Sequence, residues 1–165
     1  MKRWRPALVL LCLLGLIYGV LSPIVYEQIM SRKFAGRSSC YINIRGLGTA
    51  TLMYAQDYDD RFPYPATAYK SLLFPYTKNS NLVRCPLDAE GVVSYTMYPN
   101  LQGVLLKMIE RPDQVVLLYE GKEGKLNFRH SGSAAITFAD GHAKMVKEED
   151  AKDLIWRVTP PRNGR

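Results

Sequence analysis

The most constraining feature of this 165-residue chain is the run at residues 6–26, which carries no charge and is almost entirely apolar. Helical residues rise about 1.5 Å each, so about 20 of them span about 30 Å, the thickness of the hydrocarbon core of a bilayer. A helix on the surface of a soluble domain would carry a polar stripe, which this run lacks. The run therefore predicts a single transmembrane helix.

The charges that flank this run predict its orientation. Lys2, Arg3 and Arg5 precede it, and cationic flanks are retained in the cytoplasm. We therefore expect a single-pass membrane protein with a cytoplasmic N-terminus and an extracytoplasmic remainder. The alternative is a cleaved signal peptide with its apolar core at residues 7–20. Its nearest cleavage site, at residues 20–22, fits the small-residue pattern poorly and precedes a proline, so we prefer an uncleaved anchor.

The apolar periodicity changes after residue 26 but does not stop. Apolar side chains recur every three to five residues as far as Tyr58, which predicts one helix over residues 6–58. Pro23 predicts a kink near the membrane exit, and Pro63 lies beyond the expected helix end. Glycines at positions 36, 46 and 48 lower the helix propensity, so bending or fraying is expected there.

Short apolar runs predict a small antiparallel sheet after this helix. Asp140-Gly141 separates the last two runs and predicts a two-residue hairpin turn in which both residues adopt positive φ. The predicted strands are residues 92–98, 115–119, 134–139 and 142–147, with a short helix at 69–76, a charged turn at 121–124 and a terminal helix at 148–156. The fold class is therefore α+β, with the outer half of the long N-terminal helix packed on the apolar face of the C-terminal sheet.

The net charge of +7 is unevenly distributed along the chain. Residues 54–141 carry nine basic and ten acidic side chains, so the positive excess lies near the membrane and in the tail. A near-neutral central region argues against nucleic-acid binding, whereas basic groups beside an anionic bilayer favour contact with membrane lipid. The predicted organisation is a basic flank with the transmembrane helix (1–26), an extracytoplasmic domain (27–158) and a basic flexible tail (159–165).

Two of the three cysteines fall in the predicted extracytoplasmic domain. Cys12 lies within the apolar run and is interpreted as a small hydrophobic side chain. Cys40 and Cys85 admit two interpretations, a disulfide in an oxidising compartment or two separate thiols. A disulfide between them would close a loop of about 45 residues and stabilise the fold by roughly 3–4 kcal/mol.

Three stretches, in this order, resemble one known family. They are residues 40–48 leading into 52–63, Cys85-Pro86 followed by Ser94-Tyr95, and His130 followed after nine residues by Asp140-Gly141. With them the chain resembles the bacterial pseudopilin-like proteins that carry a prepilin-type processing-associated H-x9-DG domain. The resemblance implies a type IV pilin-like fold, an envelope location, no known enzymatic activity, and an association with type II secretion or type IV pilus-like machinery.

The chain departs from this family before the apolar run. A prepilin has a basic leader that ends in Gly-Phe, and a Glu at the fifth position of the mature chain. Here the basic residues lead directly into the apolar run, and the first acidic residue is Glu27. An unpaired acid inside the bilayer would be costly, so in pilins it is paired. The run is therefore interpreted as a fixed anchor rather than as the polymerisation helix of a filament subunit.

Two groups of side chains have metal-ligand chemistry. Asp57, Asp59 and Asp60 cluster at the expected helix end, and oxygen-rich clusters bind calcium outside cells. The resemblance adds to this candidate, because some pseudopilins bind calcium in their sheet loops. The glycine and the distant glutamate of an EF-hand loop are missing, however. We therefore interpret the three aspartates as solvated acids that end the helix, and we predict no cofactor.

The second group surrounds the last predicted hairpin and consists of His130, Asp140 and His142. A strand of nine residues spans about 30 Å, which separates His130 from the other two. The preferred interpretation is that Asp140-Gly141 forms the turn and that His130 caps the sheet through a hydrogen bond. Neither group forms a catalytic set, so we do not expect an enzyme.

The function expected from these observations is that of a membrane-anchored, pseudopilin-like structural or interaction protein of the cell envelope. Its expected partners are membrane lipid and other envelope or pilin-like proteins, with no nucleic acid and no small-molecule substrate. The alternative is an extracytoplasmic binding module that senses a metal or a cell-surface ligand.

Overall fold

The structure is a computed structural model that describes residues 5–89, 91 and 93–158. The predicted basic tail, residues 159–165, and the flanking Lys2 and Arg3 lie outside the described residues. The chain divides into two units, residues up to Ala35 and residues from Gly36 onward.

The first unit is helical and belongs to helix α1, which runs Arg5–Asp57 without interruption across Pro23. Its large apolar side chains from Leu10 to Phe34 are exposed, as shown by Leu16 at 67% and Phe34 at 73%. By length and composition this is a helix that could span a membrane. The second half of α1 belongs to the second unit and ends before Asp59 and Asp60, which have left-handed backbone conformations with φ of 54° and 57°.

The second unit contains a five-stranded sheet in which all pairs are antiparallel. Its main path has the order β1-β2-β4-β5, and β3 pairs with the end of β2. The strands are β1 (Tyr95–Met97), β2 (Val116–Lys122), β3 (Lys125–Leu126), β4 (Ser133–Phe138) and β5 (Ala143–Lys147), and helix α2 is Tyr69–Thr77. An α+β fold with a long N-terminal helix and a small antiparallel sheet is thus confirmed.

Several predicted boundaries are wrong. The first strand is only Tyr95–Met97, and the predicted charged turn at 121–124 contains the end of β2 and a tight turn into β3. The predicted terminal helix is a 3₁₀ helix, Glu148–Asp153, after which the chain extends beside β2. Its three consecutive acids favour a helix start, but the following apolar residues pack on the sheet instead.

The hairpin between β4 and β5 is present, but its predicted two-residue turn is wrong. Phe138 donates its N–H to the His142 carbonyl over 2.9 Å, so three residues separate this closing pair. Gly141 has a φ of 87°, whereas Asp140 does not have a positive φ. This is the three-residue loop in which a glycine in the left-handed region follows an ordinary turn.

Both faces of the sheet are covered. On one face, Leu118 and Ala135 share a core with Ile44 and Leu47 of α1. On the other face, Tyr119 and Ile136 pack with Trp156 from the C-terminal segment, whose ring lies 5.2 Å from that of Tyr119. The sequence predicted only the first of these layers. Because both faces are covered, β2 and β4 are buried along nearly their whole length.

Gly48 brings α1 close to the β4–β5 hairpin. A Cβ atom at this position would lie 3.0 Å from Thr137 Cγ2 and 3.2 Å from the Gly141 carbonyl oxygen. At Gly46, by contrast, the nearest atom to such a Cβ is 3.7 Å away, on Leu82. The helix is continuous at both glycines, so the expected fraying does not occur.

We expect Gly48→Ala and Gly46→Ala to change stability in opposite directions. Alanine at position 48 forces the helix and the hairpin apart, which should cost about 1–3 kcal/mol. Alanine at position 46 meets only ordinary contacts and should stabilise the helix by about 0.5–1 kcal/mol. Urea unfolding of the full chain in detergent measures both. A shift of both variants in the same direction would contradict this account of Gly48.

Candidate functional site

The most unusual site in the domain is a buried carboxylate in the second half of β2. Glu120 can carry a charge, but its side chain is 0% exposed. It directly follows a fully apolar stretch of the strand. Its Oε2 accepts a hydrogen bond from the Ala135 N–H over 3.0 Å, and both of its oxygens lie 2.9 Å from His130 Nε2. An ionised carboxylate in such surroundings is tolerated only when it is paired and hydrogen-bonded.

A tight turn places His130 beside Glu120. His130 and Ser133 exchange backbone hydrogen bonds of 3.1 and 3.2 Å, and between them Ser131 and Gly132 have φ of 53° and 79°. These are the positive φ values of a type I′ turn. The turn starts β4, and the histidine side chain is fully buried beside the carboxylate. Because a carboxylate only accepts, His130 Nε2–H is the donor.

Arg129 connects Glu120 to a second acid near the surface. Its Nε lies 3.1 Å from Glu120 Oε1, as an ion pair without hydrogen-bond orientation, and its Nη1 lies 2.6 Å from Asp88 Oδ2. Ser94 completes the chain of contacts, because its hydroxyl donates to Asp88 and accepts from the Cys85 N–H, both over 2.8 Å. The arginine thus bridges two carboxylates, and Ser94 connects this pair to the loop that carries Cys85.

This chain of contacts changes the pKa of the Asp88 carboxyl group. Burial alone would raise the pKa of its carboxyl, but hydrogen bonds from Arg129 and Ser94, together with the guanidinium charge, outweigh burial. The pKa of Asp88 is therefore lowered from its ordinary value of 3.8. The carboxylate form is the one that the fold stabilises.

This shift predicts a specific dependence of stability on pH. A carboxylate whose pKa is lower in the folded chain stabilises the fold fully above its unfolded pKa, and the contribution is lost as the pH falls through the folded value. The unfolding free energy of the wild type should exceed that of Asp88→Asn by a constant amount above about pH 5. This difference should shrink as the pH falls below 3.8. Urea titrations of both proteins at each pH test this, and a difference that does not change with pH would refute it.

Cys40 and Cys85 lie directly against this cluster and are joined in a disulfide, one of the two alternatives that the sequence left open. Cys85 Sγ is 3.5 Å from His130 Nε2. Tyr95 donates its hydroxyl to the Cys40 carbonyl over 3.1 Å, and Tyr69 donates to the Tyr95 carbonyl over 2.7 Å. Burial raises the pKa of both tyrosines, so both stay protonated as donors.

The structure does not bring the predicted group of His130, Asp140 and His142 together. His130 lies in the turn that precedes β4, and the other two lie in the hairpin beyond the end of β4. Asp140 Oδ1 accepts from the His142 N–H over 3.0 Å and lies 2.7 Å from His142 Nδ1, near the surface. His130 was predicted to cap the sheet. Its hydrogen bond is instead made to the buried side chain of Glu120 on β2.

Asp57, Asp59 and Asp60 are all exposed. Asp57 accepts the Tyr76 hydroxyl over 2.7 Å, and this hydrogen bond raises the pKa of Tyr76 to about 12. Asp59 and Asp60 form the turn after α1. Among the described residues, the side chains that are grouped closely enough to hold a metal ion are Cys40, Cys85, Glu120 and His130.

Sequence reasoning missed Glu120, and it missed the roles of Arg129 and Asp88. The available signal was the position of Glu120, directly after five apolar residues of a predicted strand. A charge at that place predicts either a strand end or a buried, paired acid, and only the fold distinguishes the two. The histidine of the H-x9-DG pattern was recognised, but not its partner.

Both ends of β4 are thereby held against α1. At the start of β4, His130 contacts Cys85, which is bonded to Cys40 on the helix. Beyond the other end, Gly141 lies against Gly48 and Leu52 of the same helix.

Comparisons with protein-family models, with curated proteins and with solved structures find no match for this chain.

Proposed function

We propose that this chain is a membrane-anchored, pseudopilin-like protein of the cell envelope that acts through contacts with other proteins. The apolar part of α1 lies in the bilayer with its N-terminus in the cytoplasm, and the domain from Gly36 onward lies outside. The pairing of a long helix with a small antiparallel sheet supports this class of protein.

The single observation that carries this proposal is the buried disulfide close to the apolar run. Disulfides persist in oxidising compartments and are rare in the cytosol. Cys40 follows the apolar residues 6–26 on the same continuous helix. The side of the membrane on which Cys40 lies is therefore also the side on which the domain folds. The positive charges at the other end of the run favour the same orientation.

A topology experiment tests the anchor and its orientation. The full chain is expressed in a bacterium with alkaline phosphatase, which is active only outside the cytoplasm, or with green fluorescent protein at its C-terminus. We expect an active phosphatase, a dark fluorescent protein and retention in the membrane after alkaline carbonate extraction. A fluorescent fusion without phosphatase activity, or release by carbonate, would refute the proposal.

A pair of matched variants separates membrane insertion from surface charge. Leu13→Arg with Leu16→Arg places two cations in the apolar run, at about 2.5–3.5 kcal/mol each for insertion, and should abolish membrane retention. Ile42→Arg places a cation on the exposed face of α1 outside the run, where Ile42 is 62% exposed. This control should remain in the membrane with an active phosphatase.

The contact surface that we propose is the outer face of α1 within the domain. Ile42 and Met53 are both exposed, and eleven residues of helix rotate by about three full turns, so they share one face. A photo-crosslinker at position 42 or 53 should give adducts with envelope proteins or with a second copy of this chain. The same label at Lys152, on the C-terminal 3₁₀ helix, is the control. Equal labelling at all three positions would contradict this choice of surface.

A further inference from the structure

The disulfide, the carboxylate and the imidazole together form a potential ligand set. One sulfur from each of Cys40 and Cys85, a Glu120 oxygen and a His130 nitrogen all lie within 4.8 Å of one another. All four residues are buried. Four side chains this close, with no competing solvent, match the number of ligands in a structural zinc site.

The four side chains come from four separate segments. Cys40 is on α1, Cys85 on the loop before β1, Glu120 on β2 and His130 on the turn before β4. Three of these positions are fixed by contacts other than the disulfide. Ala135 N–H holds Glu120, Ser133 holds the backbone of His130, and the Ser94 hydroxyl binds the Cys85 N–H. The fold therefore keeps the group together when the disulfide is open.

We propose that the domain, with Cys40 and Cys85 reduced, binds one Zn²⁺ through the two thiolates, His130 Nε2 and Glu120. Thiolate and imidazole ligands favour zinc over calcium and magnesium, which require oxygen ligands. The charges also fit a divalent ion. Two thiolates, Glu120 and Asp88 carry −4, and the ion and the Arg129 guanidinium carry +3, which leaves −1. Glu120, Asp88 and Arg129 carry the same net charge of −1 in the disulfide form, so reduction with binding of the ion adds no uncompensated charge.

Zinc binding needs no reductant, because a newly made chain carries both cysteines as thiols. Each thiol loses a proton to the solvent when its sulfur binds the ion. The ion takes the place of the hydrogen on His130 Nε2, and that hydrogen moves to Nδ1, a buried atom without a hydrogen-bond partner in the disulfide form. The disulfide form has no thiolates, so the ion and the disulfide exclude each other. In the proposed order the zinc form comes first and holds α1, β2 and β4 together. A disulfide or quinone oxidant of the extracytoplasmic compartment then accepts two electrons from the thiolates, the S–S bond forms and the ion is released.

The experiment uses the full chain in detergent with Cys12→Ser, which removes the third thiol. One sample is kept reduced with a phosphine, and a second is oxidised to the disulfide. Each is equilibrated with Zn²⁺, freed of unbound ion, and analysed for zinc by mass spectrometry. We expect one zinc per reduced chain and none per oxidised chain. Equal zinc in the two samples, or none in either, would overturn the proposal.

The ligands are identified without relying on a variant that fails to fold. Co²⁺ in place of Zn²⁺ should give the thiolate charge-transfer bands and visible bands of a tetrahedral site in the reduced chain only. A cobalt spectrum without thiolate bands would overturn the proposal. His130→Ala should weaken binding at least 10-fold. His142→Ala, which removes the surface histidine paired with Asp140, should leave the stoichiometry unchanged, and loss of zinc in this variant would count against the site.

Discussion

Replacing Glu120 by alanine is expected to lower the free energy of unfolding by about 3–5 kcal/mol. The substitution leaves the Arg129 guanidinium, whose side chain is only 16% exposed, without its inner partner. It also removes the acceptor of the His130 Nε2–H and of the Ala135 N–H. A buried donor that loses its acceptor costs more than the original hydrogen bond contributed. Urea unfolding of the full chain in detergent, followed by tryptophan fluorescence, measures the change.

Two controls separate the buried charge from the loss of a side chain. Glu120→Gln keeps an oxygen for the Ala135 N–H but removes the charge, so we expect a smaller loss than with alanine. Glu110→Ala removes an exposed carboxylate and should change stability by less than about 0.5 kcal/mol. A Glu120→Ala protein as stable as the Glu110→Ala protein would show that the cluster does not stabilise the fold.

The elements that the sequence predicted well are those in which one physical signal dominates. The charge-free run at residues 6–26 and the periodicity beyond it predicted a helix to Tyr58, and α1 ends at Asp57. The apolar residues of β2 and β4 predicted strands because the runs are too short for a typical helix and are bounded by turn residues. These signals are local, so they need no knowledge of what packs against them.

The parts that could not be predicted depend on contacts between distant segments. From helix propensity alone, Gly48 is only a poor helix former. In the structure it allows Thr137 and the hairpin to approach the helix closely. Asp140-Gly141 satisfies the two-residue hairpin pattern, but a third residue, Ala139, enters the loop. The sequence is compatible with Glu120 as the solvated end of a strand, and only the fold shows that Arg129 and His130 lie beside it. No spacing along the chain encodes these neighbours.

Removing the disulfide is the second large expected effect. Cys40→Ala with Cys85→Ala opens a loop of 45 residues, and the chain-entropy estimate for a loop of this length is about 4 kcal/mol of stability. Both cysteines are fully buried, so lost packing adds to this figure. Cys12→Ala, in the exposed part of α1, should leave the unfolding midpoint unchanged. A double variant as stable as Cys12→Ala would refute the assignment of the bond as a stabilising link.

The disulfide and the Glu120 cluster should also be energetically coupled. Cys85 Sγ lies 3.5 Å from His130 Nε2, so the two sets of substitutions share a partner, and their effects should deviate from additivity by about 0.5–3 kcal/mol. Gly48 lies two turns of helix beyond Cys40, about 12 Å along α1, so Gly48→Ala should be additive with the cysteine variants within about 0.5 kcal/mol. Double-mutant cycles from urea unfolding measure both pairs. Coupling at the cluster without coupling at Gly48 would mean that β4 is held to α1 by two independent attachments. Strong coupling at Gly48 would instead mean that the helix and the hairpin respond as one rigid unit.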